Sequence, residues 1–144
     1  MGIKPQITFD CSDPGALGEF WATALDYVVQ PPPEGFASWP EALLSWGVPE
    51  EDHNKANAII DPAGVGPRVF FQQVPEAKAG KNRLHLDIPA SDGVGTPVEK
   101  KLAQCQVKVD ELVALGATVV RTVEEMGSGW VVMQDPEGNE FCVV

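Results

Sequence analysis

The sequence predicts an α+β chain built from one β-α-β-β-β module used twice, and three observations carry that prediction. First, NAIIDPAGVGPRVFFQQV and WVVMQDPEGNEFCVV share a plan: apolar strand, Asp-Pro-x-Gly, apolar strand. Asp, Pro and Gly at the first, second and fourth positions are the chemistry of a type I turn, so each stretch reads as a hairpin. Second, QITFDC and RLHLDI both alternate polar and apolar side chains with the period of a half-buried strand. Third, each of those strands leads into a segment with an apolar stripe at helical spacing.

In chain order, QITFDC is the first strand, and Asp13 and Pro14 then supply a helix cap and a first-turn proline. Leu17, Phe20, Trp21, Ala24 and Leu25 form the stripe of a helix over Asp13–Tyr27, and YVVQ follows as a short β-branched strand. The stretch PPPEGFASWPEALLSWGVPEEDHNK has no counterpart in the second half. It reads as an insertion with one short helix, about Pro40 to Trp46, lying over the sheet. The hairpin through Asp61-Pro62-Ala63-Gly64 completes the module. VPEAKAGK is the joint, giving module one as about 1–76 and module two as about 82–144 of a single domain spanning 1–144. In module two, RLHLDI is the first strand, and Thr96-Pro97-Val98-Glu99 reads as a capping box with proline at the first helical position. Val98, Leu102, Cys105, Val109 and Leu112 make the stripe, Gly116 ends the helix, and ATVVRTV is the next strand. The second hairpin turns at Asp135-Pro136-Glu137-Gly138.

The stretches DPAGVGPRVFFQQVPEAKAGKNRLHLDI and DPEGNEFCVV, set in this repeat, resemble the vicinal oxygen chelate superfamily of glyoxalase I, bleomycin-resistance proteins and extradiol dioxygenases. The likeness is greatest to its glyoxalase-like branch of small bacterial proteins and covers nearly the whole chain. It implies two βαβββ modules forming a curled mixed sheet around a cavity, with the helices outside. It is specific for fold and weak for reaction, since one fold hosts unrelated chemistries. Members of the superfamily are commonly homodimers, and the resemblance implies one here.

Alternation then assigns faces. Ile7, Phe9 and Cys11 pack under the first helix, leaving Gln6, Thr8 and Asp10 toward the cavity. Leu84, Leu86 and Ile88 pack under the second, leaving Arg83, His85 and Asp87 inward; Gln6 then matches His85, and Thr8 matches Asp87. In metal-dependent members, the first strand of each module gives a His or Gln and the last gives a Glu. The resemblance puts Gln6 and His85 at the first-strand positions and Cys142 at one glutamate position. The other falls on Phe71 or Gln72, depending on how the longer loop is aligned. None of these is a carboxylate, so neither a catalytic metal nor any other cofactor is expected. Glyoxalase I chemistry moves a proton with a metal-bound glutamate, and extradiol cleavage needs two histidines and a carboxylate on one metal. The second histidine, His53, sits in a polar loop and reads as solvated. A zinc set of Gln6, His85 and Cys142 is the competing arrangement, although a cysteine between Phe141 and Val143 reads more simply as a small buried hydrophobe. Without a metal, His85 is expected neutral and hydrogen-bonded to Asp10, Asp87 or Gln6. Trp39 and Trp46 bury their rings either as lid packing or by stacking on a ligand, whereas Trp21 belongs to the helix core. Lys81-Asn82-Arg83 either steers an anion or neutralises nearby acid. The expected ligand-facing set is Gln6, Thr8, Asp10, Trp39, Trp46, Gln72, Arg83, His85, Asp87 and Cys142, with Trp130 as a further aromatic wall.

Composition excludes more than it identifies. Among 144 residues, a net charge of −11 and a pI near 4.4 argue against nucleic acid and anionic membrane as partners. No apolar run is long enough to span a bilayer, and MGIKPQITFD lacks the apolar core of a cleaved signal. Three widely spaced cysteines, Cys11, Cys105 and Cys142, form no disulfide framework, which suits a reducing cytoplasm. The expected partner is a small molecule. The leading expectation is a glyoxalase-like protein that binds or sequesters a partly aromatic molecule without a catalytic metal. The alternative is a lyase or isomerase using His85 and a cavity carboxylate as acid and base. A purely structural module ranks third, because inward polar strands would then serve nothing.

Overall fold

A computed structural model describes residues Met1–Val144, and its strands and helices follow the two-fold plan. The first compact unit, Met1–Ala77, contains β1 (Ile7–Cys11), α1 (Pro14–Leu25), β2 (Val28–Val29), α2 (Trp39–Ser45), a 3-10 turn (Glu50–Asp52), β3 (Ala56–Ile60) and β4 (Val69–Gln73). The second, Lys78–Val144, contains β5 (Asp87–Ile88), α3 (Val98–Ala114), β6 (Thr118–Glu125), β7 (Ser128–Gln134) and β8 (Glu140–Val143). Each unit holds a four-stranded mixed sheet of the same topology, β1-β4-β3-β2 in one and β5-β8-β7-β6 in the other. The first strand of each unit pairs parallel to the last, and the remaining pairs are antiparallel. The α+β class and the repeated module are as expected. No helix is long and apolar enough to cross a membrane.

Each sheet buries one face beneath its helix. In α1, Asp13 caps the first turn by accepting from the Ala16 amide (3.1 Å), and Pro14 sits where a missing N–H costs nothing. The buried stripe of Leu17, Phe20, Trp21 and Ala24 meets Phe9 and Phe71, with Phe9 5.2 Å from Trp21 and 5.3 Å from Phe71 between ring centroids. Trp21 is 1% exposed, and truncating so large a buried ring costs about 3–5 kcal/mol. Gly18 permits the close approach behind this core: a Cβ there would lie 2.3 Å from Asn57 Nδ2, which donates to the Pro14 carbonyl. In the second unit, Cys105, Val109 and Leu112 of α3 are buried, as are Ile88, Val131, Met133, Phe141 and Val143 of the sheet.

The two Asp-Pro-x-Gly turns form as expected. The carbonyl of Asp61 accepts from Gly64 N and that of Asp135 from Gly138 N, both at 2.9 Å. Gly64 and Gly138 hold φ of 71° and 85°, where any side chain is strained. Asp61 further takes the amides of Ala63, Val65 and Gly66 on its carboxylate. Asp135 takes those of Glu137 and Asn139 together with Asn139 Nδ2.

Local expectations are corrected at several places. RLHLDI is strand only at Asp87–Ile88, and Leu84 is 72% exposed rather than packed under α3. Ahead of β5, the Glu140 side chain takes the Asn82 amide at 2.9 Å, and the Leu86 carbonyl accepts from the Cys142 amide. Residues 82–85 therefore run up to β5 without a regular ladder. The capping box at Thr96 is absent: Pro97 is itself the N-cap, with extended backbone and no side-chain cap. Thr96 instead closes a turn onto the Gly93 carbonyl. The insertion helix begins one residue earlier than expected, at Trp39, because Ser38 caps it through the Glu41 amide (3.3 Å). His53 is half-buried, with Nε2 3.1 Å from the Val48 carbonyl, rather than solvated.

Candidate functional site

Since Phe9 and Phe71 turn toward α1, period-two alternation leaves Thr8, Asp10, Phe70 and Gln72 on the opposite face of the first sheet. Asp10 and Gln72 are cross-strand partners there, and Gln72 Nε2 donates to Asp10 Oδ1 at 2.7 Å. At the end of the same face stands Arg68, which sequence reasoning did not single out. Its Nη1 donates to Gln6 Oε1 (2.7 Å), its Nε donates to Gln30 Oε1 (2.6 Å), and its guanidinium lies 5.4 Å over the Phe70 ring. The cue was present in PRVFFQ: counting by two from Gln72 through Phe70 reaches Arg68.

The aromatic insertion connects to this group. Trp39 Nε1 donates to the backbone carbonyl of Gln30 at 2.7 Å, the residue whose side chain holds Arg68. Trp39 and Trp46 meet edge-on at 6.4 Å, and Phe36 adds a third ring 5.8 Å from Trp46, which stays 55% exposed. The capping signature Ser38-Trp39-Pro40-Glu41 could have revealed how α2 is fixed: Glu41 Oε2 accepts from the Ala37 amide. Beside Gln6 and Arg68 opens a cavity of about 440 Å³, also lined by Lys4, Ile60, Asp61 and Gly66. The Asp61 carboxyl is held below its ordinary pKa, chiefly by the Gly66 and Ala63 amides and further by the Val65 amide and the Lys4 charge.

In the second unit, Asp87 and Cys142 are register partners on β5 and β8. His85 Nε2 lies 3.5 Å from Asp87 Oδ1, an ion-pair distance rather than a hydrogen bond. Asp10 and Gln6 are engaged by Gln72 and Arg68. The ligand atoms of His85, Asp87 and Cys142 lie within 4.8 Å of one another. His85 and Asp87 are exposed, whereas Cys142 is 8% exposed. Burial, and then the Asp87 charge, push the Cys142 thiol above its ordinary pKa, so it stays protonated and weakly nucleophilic. Arg83 is exposed. Trp130 sits on the β7 face opposite the buried Gly129, Val131 and Met133.

Register also fixes the equivalence of the last strands. Ala58 and Val132 each lie three residues before their turn aspartate, and they pair with Phe70 and Cys142 respectively. Thr8 and Asp87 face the same two residues from the other side. The counterpart of Cys142 is therefore Phe70, not Phe71 or Gln72. The longer loop after Asp61 accounts for the shift. Neither last-strand position holds a carboxylate.

Comparison with known proteins now adds the lineage. The family model described as a glyoxalase-like domain matches residues 6–144. No curated protein sequence matches the chain. Among solved structures, a glyoxalase/bleomycin resistance protein/dioxygenase family enzyme from Burkholderia phytofirmans PsJN is similar at 13% identity and TM-score 0.61, over 96% of this chain and 94% of that one. A possible glyoxalase from Bacillus cereus is similar at 15% identity and TM-score 0.60, over 100% and 98%. The fosfomycin resistance protein FosX from Mesorhizobium loti is similar at 12% identity and TM-score 0.62, over 99% and 90%. At these identities the likeness is one of fold.

Proposed function

From the premise that this chain belongs to the glyoxalase-like domain family, we propose that it binds or sequesters a small, partly aromatic molecule without a catalytic metal. One observation carries this reading. The face of the first sheet away from α1 gathers Gln6, Thr8, Asp10, Phe70 and Gln72, and hydrogen bonds through Arg68 and Gln30 tie it to the Trp39–Trp46 pair. Aromatic walls with a few oriented polar groups are the usual make-up of a small-molecule site. Arg83, His85, Asp87 and Cys142 are the ligand-facing groups of the second unit in this reading.

The donor set does not suit the hard divalent ion of metal-dependent relatives. Phe70 has no donor atom, and Cys142 offers a buried thiol in place of a carboxylate. A softer ion is the only kind that His85, Asp87 and Cys142 would favour together. Elemental analysis after dialysis is expected to find no stoichiometric metal, and zinc, nickel or iron at one per chain would overturn the metal-free reading. The ligand is sought by native mass spectrometry of the purified protein and by quenching of tryptophan fluorescence against a panel of small aromatics. Quenching that falls in Trp39→Phe, with affinity reduced by about 1 kcal/mol, is the expected result. A panel that never quenches defeats it.

A second reading, a lyase or isomerase, is favoured by the His85–Asp87 pair at 3.5 Å: the carboxylate would orient the imidazole for proton transfer. Its mark is turnover of a bound compound that His85→Gln abolishes while binding persists. The reading places the protein in the cytoplasm, in keeping with three buried cysteines outside any disulfide, and as a homodimer. A monomer in light scattering at micromolar concentration would remove the last part.

A further inference from the structure

We propose that Arg68 and Lys4 anchor an oxyanion, a carboxylate or a phosphate group, in the cavity of about 440 Å³ on the first unit, so that the ligand is an anion. This rests on the small-molecule reading above and adds the charge of the ligand to it.

The chain carries 21 acidic and 10 basic residues, so carboxylates outnumber cations about two to one. Lys55, Lys78, Lys100 and Lys108 each pair with one. Arg68 is among the basic residues that do not, and it differs from a solvated one in being held by the neutral amide oxygens of Gln6 and Gln30 and by the face of Phe70. These contacts fix the plane of the guanidinium without neutralising it, and two hydrogen bonds leave other N–H donors of the fork unused. A half-buried cation held rigidly by uncharged partners is a receptor for a charge from outside.

The surrounding groups agree. Asp61 lines the same cavity, but its oxygens accept from the amides of Ala63, Val65 and Gly66, and no ion pair joins it to Arg68. Lys4 reaches over the turn to the Gly64 carbonyl at 3.0 Å, which puts its ammonium at the cavity rim, where it also acts on the Asp61 carboxylate. Gly66 keeps the wall thin, because a Cβ there would lie 1.9 Å from the Tyr27 hydroxyl. Gln6, which resembles a metal ligand by position, is here a positioning residue for Arg68.

The test is a titration of the full ¹⁵N-labelled chain with benzoate, phenyl phosphate and neutral benzamide, each against sodium chloride at matched ionic strength. The reporters are Arg68 Nε–H and the amides of Lys4, Gly64 and Gly66, with the indole N–H groups of Trp39 and Trp46 followed in parallel. Both anions are expected to give saturable shifts at the cavity reporters, and the tighter one identifies the oxyanion class. Arg68→Gln should weaken that binding roughly tenfold or more, as loss of a charge-assisted bond requires. Arg68→Lys should bind between the two, and Lys4→Ala should weaken binding while leaving the Gln6–Arg68 contact in place. The proposal is overturned if the cavity reporters stay silent, if benzamide moves them as the anions do, or if the Arg68 variants titrate like the parent. Shifts centred on Lys81 and Arg83 overturn it equally. If the indoles respond to benzoate and benzamide alike while Arg68 does not, the anion subsite falls and the aromatic-ligand reading stands.

Discussion

β1 pairs with β4 over five residues, whereas β5 pairs with β8 over two. The strand orders are the same, both sheets carry their helix on one face, and both hairpins turn on a caged aspartate. The faces away from the helices share no such likeness. One gathers Gln6, Arg68, Phe70 and Gln72; the other gathers His85, Asp87 and Cys142. The helix-facing side must fill space at close-packed density and so admits few solutions. The other side answers only to what it meets, and there the two copies have diverged.

The sharpest way to break this comparison is at the turns. Asp135 is 3% exposed, and Asp135→Ala would strand the Glu137 and Asn139 amides. Chemical denaturation should report a loss of about 2–3 kcal/mol. Asp61→Ala, at a half-exposed turn, should lower the midpoint visibly less. Equal losses would mean that burial does not distinguish the two cages.

The helix starts come next. α1 is capped by Asp13 and α3 by Pro97, so only the first has a titratable cap. Asp13→Ala should cost about 1 kcal/mol. Asp13 is held below its ordinary 3.8, chiefly by the Asn54 side chain and also by the Ala16 amide. Its contribution is therefore complete above about pH 3.8 and is lost as the pH falls through the lower folded value. Amide exchange at Gly15 and Ala16 should rise in that range, while Glu99 and Lys100 at the start of α3 respond less. A simultaneous loss at both ends would contradict the assignment.

The smallest effect is expected at Cys142. Cys142→Ala removes one buried sulfur, which should cost about 1 kcal/mol or less by thermal melting. It should leave affinity for an aromatic ligand nearly unchanged. A large loss of affinity would mean that the thiol supplies binding energy and does more than border the ligand.

The scaffold was legible because its signals are local. Asp-Pro-x-Gly fixes a turn with four residues, and Asp13-Pro14 marks a helix start without reference to anything distant. RLHLDI misled because alternation reports which side chains could share a face, while the ladder is decided by partners. Here Glu140 took the amide of Asn82, and Leu84 was left outside. The same limit hid Arg68, whose importance lies in contacts with residues 62 and 38 positions away. Phe70 was missed as the counterpart of Cys142 because a loop of unequal length separates the matching turns from their strands.

The irregular run before β5 has a thermodynamic consequence. Asp87 and Cys142 are held by the sheet before any ligand arrives, but His85 lies on backbone with little ladder support and 43% side-chain exposure. Fixing that imidazole against a ligand would cost conformational entropy that the Gln6–Arg68–Gln30 chain, already assembled, does not lose. Calorimetry should therefore separate the two units by signature: enthalpy with little ordering loss for a ligand that engages Arg68, and a larger entropic penalty for one that must first bring His85 to rest.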